Sequence, residues 1–113
     1  MTQLAPATGT STPWRNWART EQVTPVRVER PASGDEVVAA IARARADGLT
    51  VKPIGAGHSF TGIAVAPGVQ LDLTDLAGLT SIDAGTGLVT LTAGTRLRDA
   101  SALLHEHGLA FEN

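Results

Sequence analysis

The amino-acid sequence predicts an α+β fold, in which a small parallel sheet with flanking helices leads into the first strands of an antiparallel subdomain. Over about residues 25–62, a capped helical segment lies between two strand-like runs. Over residues 63–113, short alternating runs are separated by turn residues. Residues 1–13 consist mostly of Thr, Ala, Ser, Pro and Gly, so we expect a mobile tail, with order beginning near Trp14.

The parallel unit is predicted to begin with a half-buried strand over residues 25–30, because Val26 and Val28 alternate with charged residues. Ser33 and Glu36 then form the S-x-x-E capping box of a helix. Its apolar residues recur at helical spacing before Gly48, which is placed to end it; they are Val37, Val38, Ile41 and Ala44. Residues 49–54 are predicted to form the second strand, so this strand-helix-strand unit indicates a parallel pair.

The second half of the chain is predicted to contain consecutive antiparallel strands at residues 69–73, 79–83 and 88–93. Thr95 is expected to cap a last helix before Gly108. The apolar stripe predicted for that helix consists of Leu97, Ala100 or Ser101, and Leu104. Residues 109–113 have the pattern of the start of another strand.

Composition excludes several classes of function. The 9 basic and 11 acidic residues are interspersed and give a net charge of −2, which provides no electrostatic footprint for nucleic acid or an anionic membrane. The sequence has no cysteine, and therefore no disulfide, thiolate metal site or cysteine nucleophile. Residues 1–12 lack the basic and apolar regions of a signal peptide, and no run reaches the roughly 20 apolar residues of a membrane span. We therefore expect a cytoplasmic protein.

The loop over residues 55–62, called here the glycine loop, is rich in glycine and hydroxyl groups and follows the second predicted strand. Such a loop can direct successive backbone N–H groups at an anion, or can simply be a tight turn that needs glycine. The dinucleotide fingerprint G-x-G-x-x-G would require a third glycine where Phe60 stands. His58 is the other notable member, because a neutral imidazole is nucleophilic near pH 7, although a loop histidine is more often a solvated residue.

Three segments resemble the N-terminal portion of the PCMH-type FAD-binding domain of the vanillyl-alcohol-oxidase superfamily: KPIGAGHSF at 52–60, LDL at 71–73 and VTLTAGT at 89–95. Within that superfamily, WRNW at 14–17 and the G-x-G-H-S form of the loop are most similar to the aldonolactone oxidoreductases. These are the gulono- and arabinono-lactone oxidases, to which the alditol oxidases are related. The resemblance covers residues 14–113, and its motifs are specific in combination.

The resemblance implies that FAD is the cofactor and that its binding residues are Ile54, Gly55, Ala56, Gly57, His58 and Ser59. In the family, the matching loop wraps the FAD pyrophosphate through backbone amides. In many members the matching histidine bonds to the 8α-methyl carbon of the flavin ring. His58 is therefore the residue expected to carry FAD where the attachment is covalent.

The family's full-length enzymes oxidise a sugar lactone or a polyol by passing a hydride to flavin N5. They continue beyond the position matching Asn113, so the resemblance implies that residues 14–113 are part of a longer FAD domain that is inactive by itself, and no catalytic residue can be named. A truncated gene product and an incomplete gene model both remain open. The alternatives are an inactive remnant without flavin and a domain like that of the UDP-N-acetylenolpyruvoylglucosamine reductases.

Other polar and aromatic residues have ordinary explanations. His105 and His107 would point about 200° apart on a helix, so they are not expected to share a metal ion. Trp14 and Trp17 are expected to lie on one packing face because they are three residues apart. Arg96 and Arg98 are expected to be solvated surface charges, and no metal site is predicted.

Overall fold

The structure is a computed structural model that describes residues 8–9 and 12–112. Its strands and helices, in chain order, are β1 (Thr8–Gly9), β2 (Trp14–Arg15), β3 (Gln22–Val23), β4 (Arg27–Glu29), α1 (Gly34–Ala46), β5 (Val51–Ile54), β6 (Val69–Asp72), β7 (Leu79–Asp83), β8 (Leu88–Leu91) and α2 (Leu97–Glu106). The tail predicted over residues 1–13 lies mostly outside the described residues. Within it, β1 pairs antiparallel with β4. The mobility of the tail stays a prediction.

The main sheet has the strand order β1-β4-β6-β5, and β4, β6 and β5 are parallel. The prediction that residues 69–73 form an antiparallel strand is therefore wrong, because β6 inserts between the two strands of the predicted parallel pair. Val69, Gln70 and Leu71 are all buried, which is typical of a strand covered on both faces. Gly68 permits the close approach of this strand, since a Cβ there would lie 2.5 Å from the Thr50 carbonyl oxygen. The parallel unit thus extends past the predicted limit at residue 62.

Helix α1 begins and ends as predicted. The Glu36 N–H donates to Ser33 Oγ at 3.2 Å, and Gly48 has the left-handed φ of +70° that ends the helix. The predicted apolar face is only partly correct, because Ala40 and Ala44 are buried whereas Val38 and Ile41 are exposed. The helix therefore buries two alanines instead of the larger Val38 and Ile41.

A buried acidic residue joins β4 to α1. Glu29 is 1% exposed, whereas Val26 is exposed, so the alternation in this strand buries the opposite face from the one predicted. The Glu29 carboxylate accepts hydrogen bonds from Nε and Nη2 of Arg43, the former at 3.1 Å, and from Arg27 Nε at 3.4 Å. The hydrogen bond to Glu29 raises the pKa of Arg43 above its ordinary value. The carboxylate is buried on this face because guanidinium groups compensate its charge.

Strands β7 and β8 form the predicted antiparallel pair, joined by a turn in which Gly87 has a φ of +76°. Thr95 does not cap α2, so the prediction of this cap is wrong. Its hydroxyl accepts from the Gly78 N–H at 2.9 Å and donates to the Thr92 carbonyl at 2.7 Å, so it fastens the segment after β8 to the start of β7.

Helix α2 has Arg96 at its N-cap without a capping side chain, and it buries Ala100 and Leu104 while Leu97 is exposed. Residues 109–112 form no strand, and Asn113 lies outside the described residues. None of the helices in the described part of the chain is long and apolar enough to cross a membrane. The cytoplasmic location stays a prediction.

Candidate functional site

The glycine loop leaves the sheet at the carboxyl end of β5. Ile54, the last residue of β5, is buried and pairs in register with Asp72 of β6. Ligands of parallel sheets commonly bind in loops that follow the carboxyl ends of the strands. The loop therefore lies in a typical binding position, with Ile54 anchoring its first residue in the core.

The backbone of the glycine loop is open to a ligand. Gly57 has a φ of +75°, a conformation that favours glycine. Gly55 has no such constraint, and a Cβ built on it would have no neighbouring atom of another part of the chain within 4 Å. The backbone at Gly55 is therefore accessible from the open space beside it.

Among the cavities that border the loop, two are lined by Gly55, Ala56 and His58. One, of about 600 Å³, lies between the loop and the segment that joins β8 to α2; it is lined by Gly55, Ala56, His58 and residues 93–98. The other, of about 430 Å³, is lined by the loop itself with Pro53, Ile63 and Ala64. Of the six residues predicted to bind the cofactor, the five from Gly55 to Ser59 line these cavities, and Ile54 lies buried beside them.

Arg96 and Arg98 line the larger cavity, opposite the glycine loop. Both are exposed, as predicted, and Arg98 Nε lies 3.7 Å from the carboxylate of its neighbour Asp99. The position of these arginines at the cavity was not expected from the sequence. Two guanidinium groups at this wall favour an anionic ligand.

The β2–β3 hairpin supports the glycine loop from one side. The Trp17 N–H donates to the Gly57 carbonyl at 2.6 Å, and the side-chain amide of Asn16 donates to the Ser59 carbonyl at 2.8 Å. The Thr20 hydroxyl lies 3.3 Å from the Phe60 carbonyl. Sequence reasoning missed Asn16 as a functional residue; the only signal was a polar residue between aromatic ones in the WRNW segment.

An exposed aromatic edge lies beside the loop. The Trp17 ring makes T-shaped contacts with His58, at 5.8 Å between ring centroids, and with Phe60, at 6.4 Å. Trp17 is 68% exposed, whereas Trp14 is partly buried. A Cβ built on Gly57 would lie 3.4 Å from the Trp14 ring. The two tryptophans therefore do not share one packing face, and the prediction from their spacing is wrong. His58 is placed between this aromatic edge and the larger cavity.

Comparison with known proteins identifies the family to which the chain belongs. The family model described as FAD binding domain matches residues 25–113. The chain belongs to this FAD-binding family. The family carries the PCMH-type FAD-binding fold that the resemblance predicted, and FAD as its cofactor.

Two relatives place this FAD-binding domain among flavin oxidoreductases. The chain is 39% identical over 100 residues to L-gulono-1,4-lactone dehydrogenase of Mycobacterium tuberculosis, covering 88% of the chain and 23% of the relative. It is 36% identical over 105 residues to alditol oxidase of a Streptomyces species, covering 91% of the chain and 25% of the relative. The chain thus spans about a quarter of the length of these relatives. The predicted resemblance to the sugar-lactone and alditol enzymes is confirmed.

A solved structure supports the fold. The crystal structure of cholesterol oxidase from B. sterolicum matches with a TM-score of 0.72 and 24% identity, over 88% of this chain and 20% of that chain.

The glycine loop, with its open backbone at Gly55 and its cationic opposite wall, fits a cofactor that carries a pyrophosphate.

Proposed function

We propose that the glycine loop holds the pyrophosphate of FAD in a flavin-dependent oxidoreductase that acts on a sugar lactone or a polyol. The observation that carries the proposal is the exposed backbone at Gly55, beside a cavity that the loop shares with Arg96 and Arg98. The relatives whose names include gulonolactone and alditol support the substrate class. When bound, FAD supplies a two-electron acceptor for the hydride of a CH–OH group.

The residues of this chain bind and orient the cofactor. The backbone amides of Gly55, Ala56 and Gly57 and the hydroxyl of Ser59 are the proposed pyrophosphate ligands. Ile54 fixes the start of the loop in the core, and His58 is the proposed neighbour of the flavin ring. Arg96 and Arg98 offset phosphate charge from the opposite wall of the cavity. No residue of this chain is assigned a proton or hydride transfer.

Gly55→Ala in the full-length protein tests the pyrophosphate assignment. The added Cβ meets no protein atom outside the adjoining residues, so the fold should survive, but it occupies the space that a phosphate needs. Gly34→Ala is the matched control, because its Cβ also meets nothing within 4 Å and it lies at the start of α1, away from the loop. We expect FAD affinity to fall at least about tenfold in Gly55→Ala only, since one displaced hydrogen-bonded phosphate contact is worth about 1.4 kcal/mol or more.

The measurement is flavin absorbance after gel filtration, followed by dye reduction with gulono-lactone, arabinono-lactone and a polyol. A folded Gly55→Ala protein that retains as much FAD as Gly34→Ala contradicts the pyrophosphate assignment. Wild-type protein that binds no FAD favours the inactive remnant. FAD-loaded protein that oxidises none of these compounds contradicts the substrate class and favours the reductase-like alternative.

A further inference from the structure

Asn16 is a buried polar residue whose hydrogen bonds all serve the hairpin and the glycine loop. It is 3% exposed. Its Oδ1 accepts from the backbone N–H groups of Thr20 and Glu21, at 2.9 and 3.1 Å. Its Nδ2 donates to the Thr20 hydroxyl and to the Ser59 carbonyl, both at 2.8 Å. Two acceptor and two donor positions are thus occupied, which is the full capacity of an asparagine amide.

The contact with Ser59 fixes the direction of a loop peptide. In a trans peptide the C=O and the following N–H point in opposite directions. Because the Ser59 carbonyl points at Asn16, the N–H of Phe60 points away from the hairpin. The Gly57 carbonyl is likewise held by the Trp17 N–H, so the N–H of His58 also points away. The hairpin therefore holds the carbonyls of Gly57 and Ser59, and the N–H groups that follow them point away from it.

We propose that Asn16 is a positioning residue for FAD, which holds the backbone of Ser59, a proposed pyrophosphate ligand, in place within the glycine loop. This inference rests on the proposed function above. The family match begins at residue 25, so the hairpin that carries Asn16 lies outside the matched range. Asn16 therefore acts on the cofactor through the loop, across 43 positions of sequence.

Asn16→Asp isolates the contact with Ser59. The substitution keeps the size of the side chain and the oxygen that accepts from Thr20 and Glu21. It replaces the donor to Ser59 with a second oxygen, which repels the carbonyl while the carboxyl is ionised. A protonated carboxyl again has one O–H donor. Burial beside a carbonyl raises the pKa of such a carboxyl, whereas the backbone N–H groups of Thr20 and Glu21 lower it, so the donor returns once the pH falls below the pKa that results.

The experiment compares three variants in a His58→Ala background, which keeps any flavin noncovalent. The full-length protein is freed of flavin, and its dissociation constant for FAD is measured by flavin fluorescence at about pH 8 and at a lower pH at which infrared difference spectra show the introduced carboxyl to be protonated. Asn16→Ala is the variant without a titrating group. Arg19→Gly is the hairpin control: Arg19 has a φ of +60° and lies in the β2–β3 turn, where glycine fits without strain.

At the higher pH we expect both Asn16 variants to bind FAD about 10- to 100-fold more weakly than the background protein, since a buried carbonyl loses its donor. At the lower pH, Asn16→Asp should recover relative to the background protein, and Asn16→Ala should not. Arg19→Gly should bind FAD normally at both values. Acid also relieves the general cost of burying a carboxylate, so thermal unfolding at both pH values gives the folded fraction of each variant. Recovery in Asn16→Asp at an unchanged folded fraction supports positioning through the donor, and recovery that only follows the folded fraction contradicts it.

Three further results would overturn the inference. The first is unchanged FAD affinity in Asn16→Asp at the higher pH, and the second is equal weakening of both Asn16 variants at both pH values. The third is loss of fold in both flavin-free variants, detected by thermal unfolding, which would make Asn16 a general stabilising residue. If the protein with His58 intact binds no FAD at all, the proposed function itself is contradicted, so the two failures are distinguishable.

Discussion

Replacing Arg43 should destabilise the domain more than replacing its partner Glu29. The Glu29 carboxylate is 1% exposed, whereas the Arg43 side chain is 46% exposed. In Arg43→Met the carboxylate stays buried and loses a partner that binds it through Nε and Nη2, although Arg27 Nε remains at 3.4 Å. In Glu29→Gln the guanidinium can turn to water, and the new amide oxygen can still accept from it. Arg43→Met should therefore lower the free energy of unfolding more than Glu29→Gln does.

The magnitudes follow from burial. Removing one partner of a fully buried pair costs about 3 to 5 kcal/mol, and the remaining Arg27 and the partial exposure of Arg43 lower this to about 2 to 3 kcal/mol for Arg43→Met. Glu29→Gln should cost about 1 kcal/mol, the difference between a charge-assisted and a neutral hydrogen bond. Arg43→Lys should lie between them, because lysine keeps the charge without the two-pronged geometry.

Hydrogen exchange of the peptides that cover β4 and α1 measures this cost locally as the opening free energy. Arg45→Met is the matched control, since Arg45 is exposed on the same helix, and it should change the opening free energy by less than about 0.5 kcal/mol. Equal effects of Arg43→Met and Glu29→Gln, or an effect of Arg43→Met no larger than that of the control, would refute the reasoning.

Two further predictions concern Gly94, which follows β8, and His58. Gly94→Ala should lower the stability of the domain by at least about 2 kcal/mol, because its Cβ would lie 1.7 Å from the Leu73 carbonyl oxygen. Thermal unfolding measures this loss. The control is Gly85→Ala, whose Cβ has ordinary space and which should leave the unfolding midpoint nearly unchanged. If flavin stays with the denatured full-length protein, mass spectrometry should find an FAD-sized adduct on His58, the single histidine of tryptic peptide 46–96. An adduct that persists in His58→Ala would contradict this assignment.

The local features of the fold could be predicted from the sequence because each depends on neighbouring residues. The capping box at Ser33, the end of α1 at Gly48 and the antiparallel pair β7–β8 are set by contacts within a few positions. The position of β6 could not be predicted in the same way. Its pattern is compatible with either a parallel or an antiparallel strand, and the outcome depends on pairing with β4 and β5, which are distant in sequence.

The polar residues were misjudged for a related reason. A glutamate such as Glu29 is expected at the surface. It is buried here because Arg43, 14 positions later, compensates its charge. Thr95 has the residue type and position of a helix cap, but its hydroxyl bonds to Gly78 instead. Sequence patterns indicate which polar groups need a partner, and the tertiary structure decides which partner they find.

The candidate site shows the same division between motif and geometry. The glycine motif at 55–59 indicates where backbone donors are available, because Gly57 requires a conformation that favours glycine. It does not determine which way the following peptides face. That direction comes from Asn16 and Trp17, which hold the carbonyls of Ser59 and Gly57. A chain with an intact glycine motif and no partner for these carbonyls would keep the motif and lose the contacts that hold two of its peptides, so under the proposed function the hairpin acts on the cofactor through the glycine loop.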